Sequence, residues 1–157
     1  MRRITKQSLD ELAATMSIVS MEEQSNSIGG NDCVLQVYSD ISGFSVQELV
    51  SRVVTGLGYN VYDTNGLYTS DIITAGSFAQ LNVTELSSPL TFNNSTGKLP
   101  DGSTLMMTYN PGSVGHAVIV TNIDYSTEIV TFRDPQNNNT VDTLNIHQNT
   151  GMYSIYH

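Results

Sequence analysis

The spacing of apolar residues changes near residue 103. Before that point, apolar side chains recur every three or four positions, which is the period of an amphipathic helix. After it, short runs of β-branched and aromatic residues alternate with turn residues, as in antiparallel strands. Helices followed by strands predict the α+β class, with N-terminal helices packed on a C-terminal antiparallel β-sheet.

The first helix that we expect to pack on the sheet carries the chain's one cysteine, Cys33. Asp32 is a residue type that favours the N-cap position, and the apolar stripe that follows it stops at Gly43. We therefore expect a short helix with Cys33 in its first turn.

A second helix follows directly. Ser45, with a glutamate three positions later, has the spacing of a capping box, and the apolar stripe after it should end by Gly56 or Gly58. A weaker pattern over residues 67–79 predicts a short helix broken at Gly76. Residues 86–102 are rich in turn formers and predict a long surface connection with a short strand.

The last third of the chain contains a predicted β-hairpin with two polar residues at its open end. His116 stands where one strand begins, and Asp134 stands where the partner strand ends. Because the outer ends of a hairpin lie side by side, these two side chains should be neighbours in space. The strands are predicted over residues 103–109, 117–123, 128–133, 141–146 and 152–156.

Composition excludes several classes of function. The net charge of −9 argues against nucleic-acid binding, because such a surface cannot neutralise phosphates. A single cysteine excludes an internal disulfide and a cysteine-based zinc site. His147 and His157 have no partners at metal-ligand spacing, so we predict no metal and no other cofactor. No apolar run is long enough for a bilayer, which predicts no membrane insertion.

Cys33, His116 and Asp134 together could carry nucleophilic catalysis. A thiolate at a helix N-terminus is favoured by the oriented N–H groups, and a nearby imidazolium favours it further. His116 would exchange the proton with Cys33 and then protonate the leaving amine. Asp134 would accept the other imidazole N–H and so fix the tautomer and the orientation of the ring.

These residues carry a resemblance to papain-like cysteine peptidases. Asp32-Cys33 at a helix start, Gly115-His116 before an apolar strand, and Asp134 followed by proline resemble most closely the bacteriocin-processing, or double-glycine, peptidases. The resemblance implies a papain-like fold over residues 31–157 and a peptide or protein substrate.

The same resemblance implies a glutamine upstream of the cysteine whose side chain helps to bind the oxyanion. Here Ser27 occupies that position, and the nearest glutamine is Gln24, so Gln24 and Asn31 are the oxyanion candidates. Gln136 and Asn137 follow Asp134 closely and are candidates for lining the site, as polar support for the catalytic residues.

The first thirty residues resemble the double-glycine leader peptides of Bacteroidales peptide and bacteriocin-like precursors. They combine a basic start, a capping box before an amphipathic helix, an acidic segment, and the pair Gly29-Gly30. The resemblance implies a leader or propeptide over residues 1–30, cut after Gly30 by a dedicated transporter-peptidase. We therefore expect a cytoplasmic precursor and a mature protein exported to the periplasm or the cell exterior, which suits a polar and weakly charged composition.

Three functions remain open on the sequence alone. The first is an exported thiol hydrolase, either a cysteine peptidase or an amidase. The second is a papain-fold acyl or amide transferase or toxin that uses the same three residues. The third is a catalytically inactive, leader-bearing secreted effector or binding module. Because Gly30 lies only three residues from Cys33, we predict that Cys33 does not cut its own chain at this point.

Overall fold

The computed structural model describes residues 31–87, 91–112 and 114–157. Within these ranges three α-helices precede all six strands of an antiparallel sheet, so the predicted α+β class is confirmed. The helices are α1 (Cys33–Ser42), α2 (Val46–Leu57) and α3 (Ile72–Phe78). The strands are β1 (Asn82–Glu85), β2 (Thr104–Tyr109), β3 (His116–Asp124), β4 (Ile129–Asp134), β5 (Thr140–Asn145) and β6 (Asn149–Tyr156).

The sheet has the strand order β1-β6-β2-β3-β4-β5, and every neighbouring pair is antiparallel. Strands β2 and β3 are central, which explains why their runs are almost continuously apolar rather than alternating. Strand β1 was not predicted. It is four residues long, and only Val83 in it is buried, so its sequence lacks a strand-like apolar run.

The two predicted helix starts are confirmed. α1 ends at Gly43, which adopts a left-handed φ of 79°. α2 begins after Ser45, whose hydroxyl accepts a hydrogen bond from the Glu48 N–H at 3.2 Å, and it ends at Gly58. The reciprocal half of the predicted capping box is replaced, because the Glu48 carboxylate instead pairs with Arg52 at 2.6 Å.

The predicted break at Gly76 is wrong, since α3 continues through this residue. A Cβ atom at Gly76 would lie 2.3 Å from Cγ2 of Val83, so the glycine serves the close approach of α3 to β1. The hydroxyl of Tyr38 donates to the carbonyl of Ile72 at 2.7 Å and joins α1 to the start of α3.

Both faces of the sheet are covered. The helices pack on one face around Leu35, Leu49 and Val53, together with alternate residues of the central strands. The other face is covered in part by the connection before β2, from which Phe92 and Leu99 are buried. That segment is therefore more than the surface connection expected from its turn-rich sequence. None of the helices in the described ranges is long and apolar enough to cross a bilayer.

Candidate active site

Cys33 lies at the N-terminus of α1 and is 8% exposed. Its thiol points across to the sheet, where it donates to the backbone carbonyl of Gly115 at 3.8 Å. Gly115 immediately precedes β3, so the first turn of α1 lies directly against the start of this strand. The helix thus presents the sulfur at the boundary between the helical layer and the sheet.

His116 is the first residue of β3 and is 1% exposed. Its Nε2 atom lies 2.8 Å from Oδ2 of Asp134, the last residue of β4. The β3–β4 ladder contains an irregularity between Val120 and Asn122, which shifts the register by one residue. The 2.8 Å distance shows that the two residues at the open end of the hairpin are neighbours, as their positions in the hairpin predict.

The environment of His116 favours its charged form. Burial lowers the pKa of His116, but the hydrogen bond and charge of Asp134 and the nearby Cys33 sulfur outweigh this effect and raise the pKa to about 9. The Nδ1 atom is buried and has no hydrogen-bond partner among the described residues. Because Nε2 is committed to Asp134, Nδ1 is the ring nitrogen that an acid–base role of His116 would use.

Tyr109 covers one edge of the imidazole. Its ring meets that of His116 at 78° with the centroids 5.6 Å apart, and it also contacts Phe132 at 5.6 Å. Burial, followed by the negative charge of Asp134, raises the pKa of the Tyr109 hydroxyl. An aromatic side chain here keeps water from the histidine and so strengthens its hydrogen bond to the carboxylate.

A cleft of about 240 Å³ opens beside Cys33. One wall comes from the helical layer and the segment before α3, and the other from the sheet and the loop before β3. None of the described residues that line it is charged. They are Cys33, Val34, Asn65, Gly66, Leu67, Thr69, Ile72, Thr108, Asn110, Gly115 and Thr150.

The remaining candidates lie in different places. Gln136 is buried, and Asn137 belongs to the same short turn, Pro135–Asn137. The side-chain nitrogen of Asn31 donates to the Tyr62 carbonyl at 3.1 Å, so one of its two N–H groups is already in use. Gln24 and the pair Gly29-Gly30 lie outside the described residues. His147 pairs on the surface with Glu128 at 3.2 Å.

Sequence reasoning missed the role of Asp32. It was expected to cap α1, yet its side chain makes no capping bond and is buried instead. The carboxylate accepts hydrogen bonds from Gln136, Tyr62 and Gln36. Gln136 lies 104 positions away along the chain, Tyr62 lies 30 away and Gln36 lies 4 away, so only the folded chain reveals the network. Tyr109 was likewise not predicted as a site residue, because in the sequence it has the features of an ordinary aromatic residue in a strand.

Helices packed on an antiparallel sheet, with a cysteine opening the first helix and a hydrogen-bonded histidine–aspartate pair on the sheet, form the arrangement of papain-like cysteine peptidases. The family comparison agrees. Residues 20–151 match the family described as papain-like cysteine protease AvrRpt2, and because this match spans most of the chain, the chain belongs to that family.

Among solved structures, the chain resembles the N-terminal peptidase C39-like domain of the toxin secretion ATP-binding protein from Vibrio parahaemolyticus. The two share 19% sequence identity with a TM-score of 0.51, over 78% of this chain and 94% of that one. At this identity the likeness concerns the fold. No curated protein matches the chain.

Proposed function

We propose that this protein is a thiol hydrolase, a cysteine peptidase or amidase, with Cys33 as nucleophile. The observation that carries the proposal is the position of Cys33, the chain's one cysteine, which lines the open cleft and contacts Gly115, the residue directly before the buried His116 that is hydrogen-bonded to Asp134. Membership of a papain-like peptidase family supports the same reaction class. A peptide or protein chain would lie along the cleft beside the sulfur.

The proposed reaction begins with transfer of the Cys33 proton to Nδ1 of His116. The thiolate attacks the substrate carbonyl carbon, and the imidazolium then gives the proton to the leaving amine as the C–N bond breaks. The product is a thioester on Cys33. Water attacks the thioester with His116 as general base, which releases the carboxylic acid and restores the thiol. Asp134 holds the Nε2–H bond throughout and stabilises the imidazolium.

The oxyanion requires donors near the start of α1. The backbone N–H of Cys33 is available by helix geometry, since the first N–H groups of a helix have no intrahelical partner. We propose that an amide side chain, either Gln24 or Asn31, supplies a second donor. Gln24 lies within the family match but can serve only while residues 1–30 remain attached, whereas Asn31 stays with Cys33 and keeps one N–H that Tyr62 does not use.

We also propose that residues 1–30 serve as a leader that a separate transporter-peptidase removes after Gly30 during export, leaving residues 31–157 as the peptidase domain. Removal would take Gln24 with the leader and leave Asn31 and the Cys33 backbone as donors. The variant Gln24→Ala in the full-length protein separates the two roles. Unchanged acylation of Cys33 supports a leader, and its loss would assign Gln24 to the site. Sequencing the N-terminus of exported protein tests the cleavage itself.

A peptidyl acyloxymethyl ketone tests the proposed nucleophile, because it alkylates a thiolate that is positioned to attack a carbonyl in the cleft. We expect intact-mass analysis to find one adduct on Cys33 in the wild type and none in His116→Ala under the same conditions. Equal labelling of both proteins would contradict the proposed partnership of cysteine and histidine.

A further inference from the structure

One buried side chain joins the two halves of the site. The Nε2 atom of Gln136 donates to Oδ1 of Asp32 at 2.7 Å, and the two residues are 6% and 2% exposed. The backbone N–H of Gln136 donates to Oδ1 of Asp134 at 3.0 Å. Asp32 directly precedes Cys33, and Asp134 holds His116 through its other oxygen. Gln136 therefore contacts the immediate neighbours of both reacting side chains.

The Asp32 carboxylate is held in the interior rather than at the helix end. Its Oδ2 accepts from the Tyr62 hydroxyl at 3.1 Å and from Nε2 of Gln36 at 3.3 Å. Burial, together with the negative charge and hydrogen bond of Asp32, raises the pKa of Tyr62 to about 12, so this hydroxyl remains a donor at neutral pH. Three side-chain donors thus replace the capping bond that an aspartate in this position usually makes.

The oxygen of the Gln136 amide indicates which of the amide's two groups is important. Oε1 is buried and has no hydrogen-bond partner among the described residues, which is costly in a protein interior. Rotating the amide would place this oxygen against the Asp32 carboxylate, where two acceptors repel. The amide is therefore fixed in the orientation that donates to Asp32, even though its oxygen goes unmatched.

We propose that Gln136 is a positioning residue that fixes the nucleophile-bearing helix in register with the His116–Asp134 pair. The inference rests on the proposed thiol chemistry and deepens it. The turn Pro135–Asn137 packs against α1, and Gln136 is its buried member. By drawing Asp32 inward, the same bond leaves the first-turn N–H groups of α1 uncapped beside the cleft.

The test uses iodoacetamide, which alkylates the one cysteine of the chain and needs no knowledge of the substrate. At pH 6 the reaction depends on the thiolate–imidazolium pair, whereas at pH 9.5 an ordinary thiol is ionised without help. We expect Gln136→Met to lower the pH 6 rate about tenfold and to leave the pH 9.5 rate within about threefold of wild type. The control Gln47→Met makes the same change on an exposed face of α2 and should alter neither rate.

A conservative variant should restore the bond. In Gln136→Glu the introduced carboxyl stands within about 3 Å of the Asp32 carboxylate, and two carboxyl groups this close share a proton at pH 6. That proton replaces the amide N–H. We therefore expect the pH 6 alkylation rate of this variant to stay within about threefold of wild type. Gln136→Asn keeps an amide but is one methylene too short, so it should behave like Gln136→Met and serves in its place if the latter does not fold.

Two results would overturn the inference. One is a wild-type alkylation rate at pH 6 in both Gln136→Met and Gln136→Asn, even with a lowered melting temperature, because that pattern describes stability alone. The other is equal loss in the glutamate and methionine variants. Failure of the proposed function looks different: His116→Ala would then react with iodoacetamide at pH 6 as fast as wild type does.

Discussion

The hydrogen bond between His116 and Asp134 leads to the most specific prediction about the site. Replacing Asp134 by Asn keeps the shape of the side chain and removes its charge. The imidazolium then loses the carboxylate that faces Nε2 at 2.8 Å, while the burial that lowers the pKa of His116 remains. The thiolate–imidazolium pair should therefore become less populated at low pH.

The size of the effect follows from the pKa of His116. A rise from 6.5 to about 9 corresponds to roughly 3 kcal/mol in favour of the charged ring. Asp134 makes the largest of the contributions that raise this pKa, so its removal should cancel much of the total. A loss of about 1.5–2 kcal/mol corresponds to a 10–30-fold smaller population of the pair.

The assay is the second-order rate of iodoacetamide alkylation of Cys33 between pH 5.5 and pH 9.5. We expect Asp134→Asn to react about 10–30-fold more slowly than wild type at pH 6, with the two rates converging to within about threefold at pH 9.5. Asp63→Asn removes one exposed negative charge and serves as the control. Equal rates for Asp134→Asn and wild type at pH 6 would refute the reasoning, because the carboxylate would then not support the imidazolium.

Three further predictions concern stability. Gly76→Ala should lower the free energy of unfolding in urea by about 1–3 kcal/mol, because the new Cβ would overlap the stiff side chain of Val83; an unchanged midpoint would contradict the packing. Arg133→Leu removes the partly exposed pair with Asp40 that joins β4 to α1, so its melting temperature should fall by an amount equivalent to about 1 kcal/mol or less. Because folding raises the pKa of His116 above its ordinary 6.5, its contribution to stability is complete below about pH 6.5 and is lost as pH rises to about 9. Relative to His116→Gln, the wild type should therefore lose about 1–3 kcal/mol over that window, and a constant difference would contradict the raised pKa.

Local signals in the sequence predicted much of the fold. Glycines end α1 and α2 where they occur in the sequence, and β-branched runs mark the central strands. The proximity of His116 to Asp134 also follows from local information, because a hairpin brings its two open ends together whatever the rest of the chain does.

The parts that escaped prediction depend on distant contacts. The sequence around Gly76 predicts a helix break, and only the contact with Val83 explains why a glycine lies within the helix. Likewise, β1 forms a strand only because β6 pairs with it. Asp32 reads as a cap because capping is a local property, and only Gln136 and Tyr62, brought in by the fold, explain why its side chain turns inward.

The proposed role of Cys33 as the nucleophile of a hydrolase is tested most directly by incubating a complex peptide mixture in ¹⁸O-labelled water with the wild type and with Cys33→Ala. The new C-termini are then identified by mass spectrometry. We predict new peptides carrying ¹⁸O at their C-terminal carboxyl group with the wild type and none above background with Cys33→Ala. The same new peptides from both proteins would contradict the account.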